Sequence, residues 1–249
     1  MRLTVVGCAG TFPGPDSGCS SYLIEHDGYT LLLDMGNGSL GELQKFTDIR
    51  KLDAVFVSHL HGDHCLDLVT YTYARRYHPD GSSPPLALFG PAKLEARLCN
   101  SFDRPIPGGI DDVFAFHVVS DSEPIELGPF RLMPRLVEHP VECYGVRVEA
   151  DGRSLAYSAD TAPVESLVDL ARDVDVFLAE ASYLEGDDNP PGIHMTGREA
   201  AEHATKADAK SLLLTHLVPW NPVDRVLADA TPAYSGPITL ATRGLQLDV

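Results

Sequence analysis

Apolar residues along this chain fall mostly in short runs bounded by glycine, proline or acidic residues, with fewer stretches at helical spacing. Leu3–Val6 predicts a strand, and Gly7, Gly10, Gly14 and Gly18 with Pro13 and Pro15 predict a turn-rich loop after it. Ser21–Glu25 and Tyr29–Asp34 read as a hairpin around Asp27-Gly28. Gly38–Phe46 predicts a short helix, Leu52–Val57 a strand and Leu66–Arg76 a helix. Leu86–Phe89 is a further strand closed by Gly90-Pro91, Pro91–Ser101 is helical, and Pro105–Asp112 has the composition of a mobile loop.

The second half repeats the mode. Val113–Val119, Ile125–Leu127, Phe130–Val137, Tyr144–Ala150 and Ser154–Ser158 are strand-like, Pro163–Arg172 is helical, and Val174–Ala179 is a buried strand. Gly186–Gly192 is a loop leading to His194. Thr196–Ala207 is a helix with Thr196 as N-cap and Glu199 closing a capping box, and Leu212–Thr215 is a short apolar strand. Strand clusters alternating with helices, twice over, predict an α/β (α+β) fold with two sheets face to face and helices outside. No linker, repeat or low-complexity segment interrupts the chain, so residues 1–249 read as one domain with halves near 1–125 and 126–249.

The segment after Leu52–Val57 changes the picture. Ser58-His59-Leu60-His61-Gly62-Asp63-His64 packs three imidazoles and a carboxylate into six residues at a strand end. Alternation along the strand lets His59 and His61 point the same way, and the following turn swings Asp63 and His64 toward a second point. Burying these groups together without a cation would be costly, so the string predicts two adjacent metal ions. Each ion needs about four or five ligands. Candidates to complete the set stand at the ends of later apolar strands: His139, Asp160 and His216.

Composition narrows the chemistry. Nineteen basic against 36 acidic residues give a net charge of −17, a field that repels a long polyanion. The compact basic cluster is Arg75-Arg76 with His78 nearby, and a solvated helix face is its expected role. Extensive nucleic-acid contact is therefore not expected, although two metal ions would still attract a small phosphate-bearing ligand. No apolar run approaches the ~20 residues that span a bilayer, and the N-terminus enters a strand without signal-peptide architecture. The five scattered cysteines, with no CxxC, read as reduced thiols of a cytoplasmic protein.

The string His59–His64, with His139, Asp160 and His216 at strand ends, resembles the metallo-β-lactamase superfamily along essentially the whole chain. The resemblance implies a four-layer αβ/βα sandwich of two mixed β-sheets with a dinuclear site at one edge. It implies that His59, His61 and His139 hold one metal, that Asp63, His64 and His216 hold the other, and that Asp160 bridges them. Asp34, in Leu33-Asp34-Met35-Gly36, matches the carboxylate that buttresses such sites. Ala179-Glu180-Ala181-Ser182 and Ile193-His194-Met195-Thr196 resemble the ribonuclease Z-like phosphodiesterases, in which the Glu holds a His that protonates the departing oxygen. That carries catalytic roles onto Asp63, His194 and Glu180.

Between Gly90-Pro91 and His139 there is no room for the long basic arm with which true ribonuclease Z grips transfer RNA. Gly14-Pro15-Asp16-Ser17, Asp63-His64-Cys65-Leu66-Asp67-Leu68, Arg75-Arg76-Tyr77-His78-Pro79, Asp121-Ser122-Glu123-Pro124 and Thr215-His216-Leu217-Val218-Pro219-Trp220 instead resemble the small bacterial class II cyclic-nucleotide phosphodiesterases. The activity so implied is hydrolysis of 3′,5′-cyclic nucleotides, cyclic AMP foremost, to nucleoside 5′-monophosphates by a hydroxide shared between two metal ions. Zinc is the expected metal, with manganese or iron also compatible with imidazole and carboxylate donors. The expected assembly is a homodimer, usual in the families resembled. Competing readings are a ribonuclease Z-like endonuclease, a lactone, thioester or β-lactam hydrolase, and a metal-binding scaffold without catalysis.

Overall fold

The computed structural model describes residues 1–102 and 109–249, so part of the loop expected at Pro105–Asp112 lies outside the described residues. The first sheet is built from β1 (Arg2–Ala9), β2 (Gly18–Cys19), β3 (Ser21–His26), β4 (Tyr29–Leu33), β5 (Ala54–Phe56), β6 (Leu86–Gly90) and β7 (Phe114–Val118). The second holds β8 (Ile125–Leu127), β9 (Phe130–Leu136), β10 (Tyr144–Ala150), β11 (Arg153–Tyr157), β12 (Val176–Glu180), β13 (Leu212–Thr215) and β14 (Ile238–Leu240). The last strand, β15 (Gln246–Asp248), returns to the first sheet and pairs antiparallel with β1.

Both sheets are mixed in the same way. An antiparallel meander (β1-β3-β4 in one, β8 to β11 in the other) continues into parallel strands (β4 to β7 and β11 to β14). Parallel neighbours need a crossover, and the helices supply it. Helices α1 (Ser39–Leu43), α2 (Gly62–Cys65), α3 (Asp67–Arg76) and α4 (Leu94–Cys99) connect strands of the first sheet. Helices α5 (Glu165–Leu170), α6 (Gly197–Lys206) and α7 (Val223–Ala230) connect strands of the second. The inner parallel strands are thus covered on both faces, which is why runs such as Leu31-Leu32-Leu33 are apolar at every position, whereas the edge strands β7 and β14 stay partly exposed. Leu31 and Leu33 enter the core between the sheets with Tyr22, Phe56, Leu132 and Leu178, whereas Leu32 packs outward with Leu68 and Tyr71. Ala156, Phe177 and Leu214 do the same for the second sheet against Leu167, Ala200 and Val226. The result is the expected four layers.

Some boundaries differ from those expected. Strand β1 runs through Gly7 to Ala9 instead of ending in a turn-rich loop, because β2 pairs beside it. A Cβ at Gly7 would stand 2.0 Å from the Cys19 carbonyl oxygen, so glycine here permits a close approach of strands. Helices α1, α4 and α5 are shorter than their apolar patterns suggest. Arg75 is not on a solvated face: it is 4% exposed and donates to the Pro84 carbonyl and the Tyr71 hydroxyl, while Arg76 pairs with Asp112. All five cysteines are unpaired, and no helix among the described residues is long and apolar enough to cross a membrane.

Helix α6 begins as its sequence predicts. Thr196 Oγ1 accepts from the Glu199 amide at 3.2 Å, and Glu199 Oε2 accepts from the Thr196 amide at 2.8 Å. Thr196→Ala removes the first of these bonds and is expected to cost about 1 kcal/mol. For a chain of this size that lowers the melting temperature by roughly 2–4 °C. Thermal denaturation followed by circular dichroism checks it, and an unchanged midpoint would show that the cap contributes nothing.

Candidate metal centre

Apart from His194, which lies in the loop before α6, every site residue expected from the sequence lies at the C-terminal end of a strand or in the turn just beyond. Asp34 follows β4, His59 to His64 follow β5, and His139 follows β9. Asp160 follows β11, Glu180 ends β12, and His216 follows β13. These ends converge on one edge of the sandwich. There the donor atoms of His59, His61, His139 and Asp160 all lie within 4.8 Å of one another, as do those of Asp63, His64, Asp160 and His216. The structure therefore brings all seven residues together in two clusters that share Asp160.

The geometry suits cations. His61 Nδ1 stands 3.0 Å from His59 Nε2 and 3.1 Å from His139 Nε2, and His64 Nε2 stands 3.3 Å from His216 Nε2. Nitrogens bound tetrahedrally at about 2.0–2.1 Å from zinc stand roughly 3.3 Å apart. Burial holds His59, His61 and His139 below the usual imidazole range, in the neutral form a metal ligand needs. Asp160 Oδ1 is buried without a hydrogen bond, although His64 Nε2 and His216 Nε2 lie 3.1 and 3.5 Å from it. A buried carboxylate oxygen with no donor is costly, and a cation at either cluster would remove that cost. Burial opposes ionisation of Asp63 and Asp160, yet the neighbouring His216 and His64 hold both carboxyls below the usual range.

The rings are held from behind. His139 Nδ1 donates to the Ile193 carbonyl at 3.0 Å, and His64 Nδ1 donates to Asp34 Oδ2 at 2.8 Å. His59 Nδ1 contacts Ser58 Oγ at 3.1 Å, and that hydroxyl donates to Asp34 Oδ2 at 2.8 Å. On the other side His216 Nδ1 contacts Ser182 Oγ at 2.7 Å, which donates to Glu180 Oε2 at 2.9 Å. Each serine thus links one imidazole to one buried carboxylate. These contacts fix the proton on Nδ1 and leave Nε2 facing the cluster. Asp34 and His216 both adopt positive φ (59° and 55°), backbone strain held in place by these bonds.

Beside the clusters, His194 Nδ1 lies 2.8 Å from Glu180 Oε1, with its ring 5.6 Å from that of His139 and 5.4 Å from that of His216. Burial disfavours its charged form, but the Glu180 carboxylate overrides this and pushes the imidazole up to about 9. Glu180 also accepts from the Thr161 amide at 2.9 Å.

Ser58, Tyr157, Ser182 and the Thr11 amide, which donates to Asp63 Oδ2 at 2.9 Å, were not foreseeable as site groups. Hydroxyls and main-chain donors carry no spacing signal. Only the adjacency of Ser58 to the histidine string and of Ser182 to Glu180 hinted at them.

A four-layer sandwich with a His/Asp cluster at its edge and a carboxylate-held imidazole beside it defines a metallo-hydrolase. The chain belongs to the β-lactamase superfamily, whose domain matches residues 29–217. An uncharacterised protein of Mycobacterium tuberculosis, Rv1339, is 44% identical over 243 residues, which cover 96% of this chain and 88% of the relative. The probable metallo-hydrolase YhfI of Bacillus subtilis is 30% identical over 98% of both chains. Its crystal structure superposes with a TM-score of 0.88 at 27% identity, covering 99% of each chain. A ribonuclease Z of Haloarcula marismortui is 26% identical, covering 99% of this chain and 96% of the relative, which fits the ribonuclease Z-like branch.

Asparagine accepts the left-handed backbone of position 34, so Asp34→Asn removes a charge without adding strain. It is expected to weaken zinc affinity by about 10–100-fold, measured by competition with a chromophoric chelator. Unchanged affinity would mean that Asp34 does not support the centre.

Proposed function

We propose that this metallo-hydrolase is a two-metal phosphodiesterase that converts 3′,5′-cyclic nucleotides, cyclic AMP foremost, to nucleoside 5′-monophosphates. The observation that carries the reading is His194, held by Glu180 at 2.8 Å beside two donor clusters that share one carboxylate. His59, His61, His139 and Asp160 would hold one divalent ion, and Asp63, His64, Asp160 and His216 would hold the other. Zinc suits these donors, as do manganese and ferrous iron. Such a pair would supply charge neutralisation of the non-bridging phosphoryl oxygens and would lower the pKa of a nearby water toward neutrality.

The chain's own groups manage the protons. The Asp63 side chain is 11% exposed against 3% for Asp160, and it takes the proton of the attacking water. Glu180 fixes the His194 ring through Nδ1 and favours its imidazolium form. Nε2 then gives its proton to the 3′ oxygen as the P–O3′ bond breaks, and the new P–O bond leaves a 5′-phosphate.

A small substrate is supported by charge and by length. The net charge of −17 opposes a long polyanion. The alignment with the Haloarcula ribonuclease Z runs over 299 positions against a chain of 249, so that relative carries segments this chain lacks. A solved relative at 25% identity and TM-score 0.76 is described as a diphosphatase of the PhnP family, which supports chemistry at phosphorus on this scaffold. The five unpaired cysteines support a reducing, cytoplasmic setting, and the homodimer belongs to the same proposal by family resemblance.

Two experiments test it. Zinc- and manganese-loaded protein is assayed on cyclic AMP, cyclic GMP, bis-p-nitrophenyl phosphate, a precursor transfer RNA and an acyl lactone. Cyclic nucleotides are expected to be the best substrates, and preference for the transfer RNA or the lactone would overturn the reading. His194→Ala is expected to retain its metal content and to lose cyclic AMP turnover by about 10²–10⁴-fold. Turnover of bis-p-nitrophenyl phosphate should fall far less, because p-nitrophenolate departs unprotonated. Equal losses on both substrates would remove His194 from the proton-donor role.

A further inference from the structure

The metal centre accounts for the phosphate of a nucleotide but not for its base. A cavity of about 430 Å³ opens beside His194, between the turn after β12 and the segment that follows β13. That volume falls within the roughly 300–1,000 Å³ of small-molecule sites. Tyr183, Ile193, His194, Val218, Trp220 and Asn221 contribute to its walls. Trp220 is the chain's only tryptophan and is 73% exposed. A large aromatic ring left in water beside a catalytic edge is apolar surface awaiting a partner.

The indole is backed and anchored. Phe12 packs against it with ring centroids 4.7 Å apart and planes tilted by 39°. Phe12 follows Thr11, whose amide donates to Asp63, and the Gly10 amide donates to the Leu217 carbonyl at 3.0 Å. On the indole's other side in sequence, Asn221 Nδ2 donates to the Ser182 carbonyl at 2.8 Å and the Asn221 amide to the Val218 carbonyl at 2.9 Å. The aromatic pair is therefore held at a fixed offset from Asp63, Ser182 and His216. Among the described residues that line the cavity, Asp187 and Asp188 are acidic and none is lysine or arginine. Apart from His194, the cavity therefore offers phosphate no cationic side chain and leaves it to the metal side, whereas a planar ring bearing amino hydrogens is accommodated.

We infer that Trp220, propped by Phe12, is the platform on which the purine ring of the substrate stacks, and so determines specificity for a nucleotide. This rests on the phosphodiesterase reading of the adjoining centre. Stacking needs a π-face and not a particular hydrogen-bond pattern, so the platform selects purine nucleotides over phosphodiesters that lack a base.

Because Trp220 is the sole tryptophan, emission of the zinc-loaded protein reports on this ring directly. Titration with adenosine 5′-monophosphate is expected to quench it saturably, and ribose 5-phosphate to leave it unchanged. Trp220→Ala should raise KM for cyclic AMP by roughly tenfold, within the range that alanine substitution of stacking rings gives. It should lower kcat far less and leave zinc content intact, with Trp220→Phe restoring most of the KM. Saturable quenching by the nucleotide in a protein that fails to hydrolyse cyclic AMP would sustain the platform and sink the phosphodiesterase reading. Cyclic AMP hydrolysis with no quenching, or with KM unmoved by Trp220→Ala, would overturn the platform alone. Equal quenching by ribose 5-phosphate would also overturn it.

Discussion

The Asp34 carboxylate is the constraint on which the centre depends. It is fully buried, and it accepts from the Ser58 amide at 2.7 Å and from the Ser58 hydroxyl, His64 Nδ1 and the Tyr157 hydroxyl at 2.8 Å each. Ser58 and His64 follow β5 of the first sheet, whereas Tyr157 ends β11 of the second. One charge thus joins both sheets directly behind the donor clusters. A buried carboxylate would cost several kcal/mol if left unpaired, so each donor is obligatory and the four hold one another in place. The left-handed backbone at Asp34 is a consequence: the turn out of β4 must aim the side chain back between the sheets.

Glu180 repeats the device on the other side of the centre. It is buried, gathers the Thr161 amide, Ser182 and His194, and through Ser182 reaches His216. The edge of the sandwich is consequently lined by imidazoles pointing inward and carboxylates standing behind them. Such an arrangement is pre-organised before any ligand arrives, because the entropy of placing the rings is spent when the sheets close.

Much of this was legible in the chain. The His59–His64 string announces itself because its residues are adjacent, and His139, Asp160 and His216 could be found because each ends an apolar run. Helix α6 was readable because both halves of its cap are side chains at fixed spacing. Strands β14 and β15 and helix α7 were not, since three-residue edge strands and a short half-exposed helix leave too little periodicity. The burial of Arg75 was hidden because its partners, the Pro84 carbonyl and the Tyr71 hydroxyl, are a main-chain and a neutral group. Ser58 and Ser182 act through tertiary contacts 24 and 34 residues away, a distance at which local pattern carries no information.

The two donor clusters also differ in how they depend on folding. His59, His61, Asp63 and His64 are neighbours in sequence, so an unfolded chain already presents them together and can capture a cation weakly. His139, Asp160 and His216 reach the same point only after both sheets have met, and the pairing of His64 with His216 spans 152 residues. A metal ion bound before folding would therefore be held by the string alone, and its affinity there would subtract from the stability that the ion would give the native state. The energetic advantage of the folded protein in holding such an ion would reside in the three distant donors. In this sense the second sheet closes a chelate that the first sheet begins.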